Sequence, residues 1–295
     1  MEWKEYSLGD ISKLKYGKNV SAKLCKGPVP IFSGYRKIGT CNTINCKKNT
    51  VIVIARGAGG CGDVKLTKED CFLTNLSISV ELDKGICNAK WFYYNHLLNN
   101  LSFLNSGSAQ PQITIDSLSK YLIRIPPIII QRKIAGILSA LDSKIENNNK
   151  INANLEAQAQ ALFKSWFVDF TPFKDQPFVD SELGPIPQGW KVGTLGDIAN
   201  IIMGQSPAGS SYNERGNGVI FYQGRTEFGF RFPNVRLYTT MPKRYAEPMS
   251  ILLSVRAPVG DINVAIEKCC IGRGLASISS KRGLHSFLLY LVTSL

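Results

Sequence analysis

The side chains of this chain that could do chemistry are mainly basic and amide-bearing, and they occur in clusters. One cluster reads Tyr222-Gln223-Gly224-Arg225 and is followed by Arg231. Arg can donate two hydrogen bonds to guanine, and Gln can bond adenine in the same bidentate way. Lys and Arg also bind phosphate oxygens. The chain carries 35 Lys and Arg against 22 Asp and Glu, a net charge of +13. These features together favour a polyanionic partner.

The candidate nucleic-acid contacts share a basic, amide or hydroxyl side chain in a segment predicted to be a loop or strand end. They are Tyr35, Arg36, Lys37, Lys47, Lys48, Arg56, Ser106, Gln110 and Gln112 in the first half, and Tyr222, Gln223, Arg225, Arg231, Arg236, Lys243, Arg244, Arg256 and Arg273 in the second. For each single residue, a solvated surface charge is the competing interpretation. As a set on a basic chain, they favour DNA.

The motifs of nucleotide-binding and methyl-transferring enzymes are absent from the sequence. The run from Val51 to Gly62 is an apolar strand followed by glycines, but it lacks the Gly-Lys-Ser/Thr ending of a phosphate-binding loop. Pro126-Pro127 lies between isoleucines, so it lacks the polar residue and the aromatic of an amino-methyltransferase motif. A tight turn is the better interpretation of the first motif, and a helix start of the second.

Hydrolytic and metal chemistry have equally little support. Glu81-x-Asp83-Lys84 is at most a fragment of a nuclease motif, and a solvated turn explains it. His96 and His285, the two histidines, each lie in an apolar stretch predicted to be helical, where a packed histidine is expected. We therefore predict a chain without catalytic residues, resident cofactor or metal site.

The eight cysteines indicate a reducing compartment. They are Cys25, Cys41, Cys46, Cys61, Cys71, Cys87, Cys269 and Cys270, with no C-x-x-C pair. With so few histidines, a Cys/His zinc site is not expected. Free thiols acting as small apolar residues are the better interpretation. No signal peptide is recognisable and no apolar run reaches the roughly 20 residues that span a bilayer, so we expect a cytoplasmic protein.

The chain contains an internal repeat. Residues 3–11 read WKEYSLGDI and residues 190–198 read WKVGTLGDI, an offset of 187. The apolar run, arginine and glycine-rich turn of residues 51–64 recur at 251–264, and residues 75–79 resemble 274–279. Two copies of one module are predicted. Each is α+β, with short strands at 50–55, 73–82 and 249–255, a helix at 89–101 and a closing strand at 122–125.

A long helix follows the first module. Residues 131–167 contain no proline, and apolar residues recur at alternating steps of three and four, which is typical of helices that pack along their length. The residues that form this stripe, called the seam here, are Ile134, Leu138, Leu141, Ile145, Leu155, Ala159, Leu162 and Trp166, with Asn148 and Asn152 in its middle. About 36 residues at about 1.5 Å each form a spacer of about 54 Å. The predicted domains are 1–128, the helix at 129–168, a Pro-rich linker at 169–187 and 188–295.

The phrases QRKIAGILSALDSKIENN, AQALFKSWFVDFTPFK and LGPIPQGW, with the duplicated WKxxxLGDI, resemble the specificity subunit of type I restriction–modification enzymes. The resemblance covers essentially the whole chain. It implies two target-recognition domains that each read one half of a split DNA site. It also implies that the two long helices of a complete subunit pack antiparallel and set the spacing between the half-sites.

The resemblance implies partners as well. Modification subunits would bind S-adenosylmethionine and methylate adenine, and restriction subunits would use ATP and Mg²⁺ to translocate and cut DNA. Here the second copy stops before a closing strand and a second long helix, so we expect a shortened subunit whose seam needs a partner from outside. That partner is another copy of this chain or the modification subunit. The alternatives are an assembly protein acting through its helix, and a stand-alone methyltransferase or nuclease.

Overall fold

The structure, a computed structural model, describes residues 2–20, 26–57, 60–106 and 111–295. The chain forms two compact units, Met1–Lys150 and Ile151–Leu295. Each combines short strands with helices, which confirms the α+β class. Across the described ranges, no helix is both long and apolar enough to cross a membrane.

The first unit contains a four-stranded antiparallel sheet in the order β2-β8-β5-β6 and a three-stranded sheet in the order β4-β3-β7. A separate pair joins β1 to β9. The strands are β1 (Lys4–Ser7), β2 (Ser12–Tyr16), β3 (Val29–Ser33), β4 (Arg36–Cys41), β5 (Val51–Ile54), β6 (Val64–Leu66), β7 (Phe72–Leu73), β8 (Ser77–Leu82) and β9 (Leu122–Ile125). The predicted strand at 73–82 is therefore two strands, β7 and β8, which belong to different sheets.

Two short helices complete the first unit: α1 (Ala89–Asn95) and α2 (Ile115–Ser119). The helix predicted to reach residue 101 ends six residues earlier. Leu101 is fully buried and its amide donates to the carbonyl of Gly62. A Cβ on Gly62 would lie 2.3 Å from the backbone nitrogen of Ser102. The helix α1 ends at Asn95 because the backbone must then turn to bring Leu101 and Ser102 into close contact with Gly62.

The second unit repeats this topology. Its strands are β10 (Phe178–Val179), β11 (Ile186–Pro187), β12 (Ala199–Met203), β13 (Tyr212–Asn213), β14 (Val219–Tyr222), β15 (Leu237–Thr239), β16 (Tyr245–Ala246), β17 (Ile251–Ser254), β18 (Ile262–Val264), β19 (Cys269–Ile271) and β20 (Leu275–Ser280). The sheet β12-β20-β17-β18 matches β2-β8-β5-β6. The sheet β13-β15-β14-β19-β16 contains a parallel β14–β19 pair where the first unit has a parallel β3–β7 pair. The sequence repeat is therefore a repeat of structure.

Backbone details of the two copies also coincide. Asn49 and Met249, each just before the central strand of its sheet, both have a positive φ, of 60° and 63°. Their amides donate to equivalent carbonyls, those of Thr67 and Ala265. A left-handed backbone is uncommon for residues other than glycine. Asn49 and Met249 have different side chains but share this backbone conformation, so the fold repeats the turn and not the residue type.

The remaining helices are α3 (Ile128–Phe167), α4 (Leu195–Ile198) and α5 (His285–Ser294). The spacer helix α3 has 40 residues and is about 60 Å long. It begins directly after Pro127, whose carbonyl accepts from the amides of Ile130 and Gln131. The Pro-rich linker that follows α3 is not simply extended, because β10 and β11 pair within it as a short antiparallel ladder.

The cores are apolar and the cysteines belong to them. Of the cysteines that the structure describes, only Cys61 is partly exposed, and all are free thiols. Cys25 lies outside the described residues. Burial raises the pKa of the Cys87 and Cys269 thiols to about 12, so both are protonated and unreactive at neutral pH. The cysteines that the structure describes therefore act as small apolar residues, as predicted.

Candidate nucleic-acid interface

In the first unit, several loops converge at one end of the four-stranded sheet. We call this the first loop end and define it by Lys18, Ser33, Arg56, Thr74 and Gln112. Strand pairing places the ends of β2 and β5 and the start of β8 together, because Ile78 pairs with Tyr16, and Ser77 pairs with Ile54. The β3–β4 turn joins them, since the hydroxyl of Thr74 donates to that of Ser33 at 3.2 Å.

Arg56 and Gln112, predicted from sequence far apart in the chain, are brought together here. They form an isolated antiparallel bridge, and the amide of Ile113 donates to the carbonyl of Ala55 at 2.8 Å. Ser106 is linked to Gln112 by a backbone hydrogen bond of 3.1 Å. The side chain of Arg56 is exposed. Gln110 lies outside the described residues, and its role stays a prediction.

The second unit has the equivalent second loop end, formed by loops 204–206, 222–225, 255–260 and 272–274. The amide of Gly272 donates to the carbonyl of Tyr222 at 2.9 Å, and that of Val255 to Gly274 at 3.0 Å. The start of β16 belongs to the same end, because the amide of Ile271 donates to the carbonyl of Arg244. The exposed side chains gathered here are Gln223, Arg225, Arg236, Lys243, Arg244, Arg256 and Arg273.

The loops approach one another so closely that glycine is required at equivalent positions of both loop ends. A Cβ on Gly17 would lie 2.1 Å from the carbonyl oxygen of Thr74, and one on Gly204 would lie 2.2 Å from that of Gly272. Real Cβ atoms do not come this close to backbone oxygens, so any side chain there would push the loops apart. Lys18 and Gln205 follow these glycines directly and belong to the loop ends. Aligning the repeat at its offset of 187 residues could have identified both.

Buried hydrogen bonds fix the loop that carries Arg225. Glu227 is 3% exposed, and its carboxylate accepts from the amide of Gly224 at 3.3 Å and from Arg236 at 2.8 Å. Arg225 forms an ion pair with Asp261 through its Nε atom. Among the residues that the structure describes, no acceptor is bonded to the two terminal nitrogens of Arg225, and its side chain is about half exposed. The loop therefore presents a guanidinium group whose orientation is set in advance.

Arg231 is not at the loop end, contrary to the sequence prediction that grouped it with Arg225. Its guanidinium donates to the carboxylate of Glu156 in α3 at 2.5 Å and to the hydroxyl of Tyr290 in α5 at 2.8 Å. Partial burial raises the pKa of Glu156, but hydrogen bonds from Arg231 and Gln160 outweigh it and hold that pKa below its ordinary value. Arg231 therefore fastens the second unit to the part of α3 that belongs to it.

Two predicted tyrosine contacts also need correction. Tyr222 is 3% exposed and belongs to the core of the second unit, and burial raises its pKa to about 12. The Tyr35 ring stacks on Phe32, and its hydroxyl donates to the carbonyl of Leu66 at 2.9 Å. Both residues stabilise the module, because their rings pack against its interior. Sequence alone could not distinguish a packed tyrosine from one that stacks on a base.

Lys47 and Lys48 are separated from the first loop end by the length of the sheet. They precede β5, whereas Arg56 follows it. At about 3.4 Å per residue, the four residues of β5 and their flanks place the lysines near the opposite end of the strands. Arg36 and Lys37, in contrast, are exposed at the β3–β4 turn beside the first loop end.

The seam of α3 remains exposed in this chain. Among the predicted packing residues, Leu141, Ile145, Leu155 and Leu162 each expose more than half of their side chains, and Ile134 and Trp166 more than a third. The residues of α3 that pack on the modules lie on its flank: Gln131 and Ala135 in the first unit and Phe163 in the second are buried. In each unit, α3 packs through these buried residues, while most seam residues stay exposed and Leu138 and Ala159 are partly buried.

His96 has structural surroundings. His96 is 2% exposed, and its ring nitrogens bond the Phe92 carbonyl at 2.8 Å and the Tyr121 hydroxyl at 3.1 Å. Burial lowers its pKa despite the bond to Phe92, so the ring is neutral at pH 7. No group of three or more His, Cys, Asp or Glu side chains that could hold a metal occurs in the described ranges.

Comparison with known proteins gives a consistent result. The model of the family described as the type I restriction modification DNA specificity domain matches residues 1–157 and 187–295. A Methanocaldococcus jannaschii protein assigned as the MjaX type I restriction enzyme specificity subunit is 45% identical over 175 residues, 59% of this chain and 41% of the relative. The MjaIX specificity subunit of the same organism is 34% identical over 165 residues, 54% of this chain and 38% of the relative. The chain thus spans about two-fifths of the length of these relatives.

A solved structure shows the same fold. The S subunit of the type I restriction–modification system from M. genitalium superposes with a TM-score of 0.68 at 21% identity, covering 100% of this chain and 78% of the other. At that identity, the match establishes the architecture alone: two α+β modules and a long central helix.

Proposed function

Because the chain belongs to the family of type I restriction modification DNA specificity domains, we propose that it is the sequence-reading component of a type I restriction–modification complex. In this proposal the chain performs no catalytic step of its own. It binds a bipartite DNA target and directs partner subunits to that target.

One observation carries the proposal: each unit gathers exposed Arg, Lys and Gln side chains at the same end of the same duplicated sheet. Arg56 and Gln112 are exposed or half-exposed at the first loop end, and Gln223, Arg225 and Arg273 at the second. Tight backbone contacts at Gly17 and Gly204 hold the loops in place. A rigid loop with long polar side chains can enter the major groove, where a good bidentate pair contributes about 1–3 kcal/mol of base discrimination.

The partners in this proposal supply the chemistry. Modification subunits would bind S-adenosylmethionine and methylate adenine in the target. Restriction subunits would use ATP and Mg²⁺ to translocate and cut DNA. The spacer helix α3 would set the number of base pairs between the two half-sites, because a given orientation about the duplex recurs about every 34 Å.

A second candidate function is assembly through α3, and the exposed seam favours it. A stripe that includes Leu141, Ile145, Leu155 and Leu162 would cover about 30 Å of helix. Leaving such a stripe in water is unfavourable, and exposed apolar patches mark interaction sites. We propose that the seam packs against helices of a modification subunit or of a second copy of this chain. This role is compatible with DNA reading.

The proposal is tested by co-expressing the chain with its cognate modification subunit and mapping methylated adenines across the host genome. A split motif with two defined halves is the expected result. Replacing Arg225 and Arg273 with alanine should alter only the half read by the second unit, and Arg56→Ala only the other half. A one-part motif, or a palindrome of one half, would show that the second unit does not read DNA.

Purified chain incubated with DNA and either S-adenosylmethionine or Mg²⁺ should show no turnover. Reproducible methylation or cleavage by the chain alone would identify an enzyme and refute the proposal. Methylation that needs the chain but ignores the loop-end substitutions would favour the assembly role instead.

A further inference from the structure

We propose that the first unit has a second, sequence-independent DNA contact: a basic cleft that binds backbone phosphates outside the bases being read. The basic cleft is defined by Lys47, Lys48, Lys84, Lys90 and Arg132. The inference rests on the proposed function, since it assigns to the same DNA a contact that the loop ends do not make.

The cleft lies where the turn before β5, the end of β8, the start of α1 and the start of α3 meet. Its volume is about 640 Å³, and its five basic side chains are all exposed. None of its described lining residues is aromatic. The space accommodates several phosphate groups of a chain, but it offers no ring on which a nucleobase could stack.

Most of this positive charge is unpaired. Lys47 is bound to Asp70 at 2.9 Å, and Glu81, at the rim, is occupied by Lys15 at 3.0 Å. Within the described ranges, the side chains of Lys48, Lys84, Lys90 and Arg132 form no ion pair within 4 Å, and Asp70 reaches Lys48 only through its backbone amide, which donates to it at 2.8 Å. Like charges around one cleft repel each other, and an anion bound there would relieve the repulsion.

The fold does not need the charges on the turn and on α1, because the second unit builds the equivalent turn and helix without them. The turn with a positive φ has Lys47-Lys48-Asn49 in the first unit and Glu247-Pro248-Met249 in the second. Glu247 is paired there with Lys268 at 3.0 Å.

Helices α1 and α5 continue the comparison. The buried pair Trp91-Phe92 of α1 aligns with Phe287-Leu288 of α5, of which Leu288 is buried and Phe287 partly buried, and this alignment sets Lys90 against Ser286. Aligning the ends of β8 and β20 sets Lys84 against Arg282, so a cation is kept there, and Arg132 in α3 has no counterpart in this comparison. A duplicated turn and helix that fold with either charge pattern indicate that the basic pattern serves binding.

The position of the cleft separates it from base reading. In strand β8, Ser77 lies at the first loop end and Leu82 lies at the opposite end, beside the cleft. The six residues of this strand span about 17 Å. That exceeds the roughly 12 Å width of the major groove, so in this proposal phosphates held in the cleft lie outside the groove that the loops enter.

The chemistry favours phosphates over an acidic protein surface. Four of the five cations are lysines, which bind phosphates as point charges. Protein–protein interfaces are instead depleted of lysine and enriched in arginine and aromatic residues. Lysines that meet phosphates release condensed counterions, so their contribution is visible in the salt dependence of binding.

The test compares the full chain with its Lys84→Gln/Lys90→Gln variant on two duplexes that carry the mapped target. One duplex ends at the edge of the target, and the other extends about ten base pairs beyond each edge. The matched control is Lys133→Gln/Lys144→Gln, which removes the same charge from exposed α3 positions outside the cleft. Circular dichroism and thermal melting verify that all three proteins fold.

Wild type should bind the longer duplex more tightly, and the cleft variant should lose that gain. On the longer duplex, the slope of log affinity against log salt should fall by about 1.8 for two lost phosphate contacts. Because of this difference in slope, raising the salt from 50 to 200 mM should weaken DNA binding by wild type about twelvefold more than binding by the variant. The ratio of target to non-target affinity should not change, and the control variant should resemble wild type.

Three results would overturn the inference while leaving the proposed function intact. The first is equal affinity of wild type for both duplexes. The second is a salt slope that the cleft variant does not change. The third is a cleft variant that binds DNA as tightly as wild type but no longer captures the modification subunit. That result would show that the cleft binds an acidic protein surface. If wild type shows no target preference at all, the proposed function itself fails, and the inference with it.

Discussion

Replacing Glu156 with alanine should destabilise the second unit, because Glu156 is the acceptor at the centre of a small polar network. It accepts from the guanidinium of Arg231 at 2.5 Å and from the Tyr290 hydroxyl at 3.3 Å. Arg231 also lies over the Tyr290 ring, 5.8 Å from its centroid. The network joins α3, a loop and α5 of one unit, so its loss loosens three elements at once.

The expected cost follows from the burial of the pair. A hydrogen bond to a charged group contributes about 1.5–3 kcal/mol. The side chains of Arg231 and Glu156 are 34% and 27% exposed, so water can partly replace the lost partner. We therefore expect the lower part of that range, about 1.5–2 kcal/mol. For a unit of this size, that lowers the melting temperature by roughly 3–8 °C.

The assay combines calorimetry with amide hydrogen exchange of residues 228–236 and 285–294. Glu156→Ala and Arg231→Ala should each increase exchange there, and the double variant should cost less than the sum because the two residues share one interaction. Glu146→Gln, which loses an exposed pair with Lys150 on the same helix, is the control and should change neither readout.

The pH dependence gives an independent check. The pKa of Glu156 is below its ordinary value in the folded chain, so its contribution is complete above the unfolded pKa of about 4.3 and is lost as pH falls through the folded value. The stability difference between wild type and Glu156→Gln should shrink over that acidic range. An Arg231→Ala variant with unchanged melting and tenfold weaker DNA binding would refute the reasoning and restore Arg231 as a DNA contact.

Three further predictions concern other parts of the chain. Burial lowers the pKa of His96, so the first unit should lose stability as pH falls below the unfolded value of about 6.5; urea titrations at about pH 7.5 and 5.5 should show the loss in wild type and not in His96→Gln. Gly204→Ala places a Cβ 2.2 Å from the Gly272 carbonyl oxygen and should cost about 1–3 kcal/mol in chemical unfolding, whereas Gly209→Ala, with open space around it, should cost far less. Leu141→Gln/Leu155→Gln should leave the melting temperature unchanged but weaken self-association in sedimentation or capture of the modification subunit; unchanged association would remove the seam from the assembly role.

The sequence by itself determined the duplication and the spacer helix. Both are written in local patterns: the repeated WKxxxLGDI phrase, the shared strand-and-glycine run, and a three-four apolar spacing that needs no knowledge of distant residues. Even the α+β class followed from these patterns. The predicted boundaries were less secure, because α1 ends at Asn95 where Leu101 must turn back onto Gly62.

Only the tertiary structure decided which basic residues act together. Lys47 and Arg56 are nine residues apart, yet β5 places them at opposite ends of a sheet, whereas Arg56 and Gln112 are brought into direct pairing. Arg231 and Arg225 are six residues apart, yet one faces Glu156 and the other is presented at the second loop end. An extended strand advances about 3.3 Å per residue, and its neighbours come from distant parts of the chain. Proximity in sequence therefore says little about which charges share a surface.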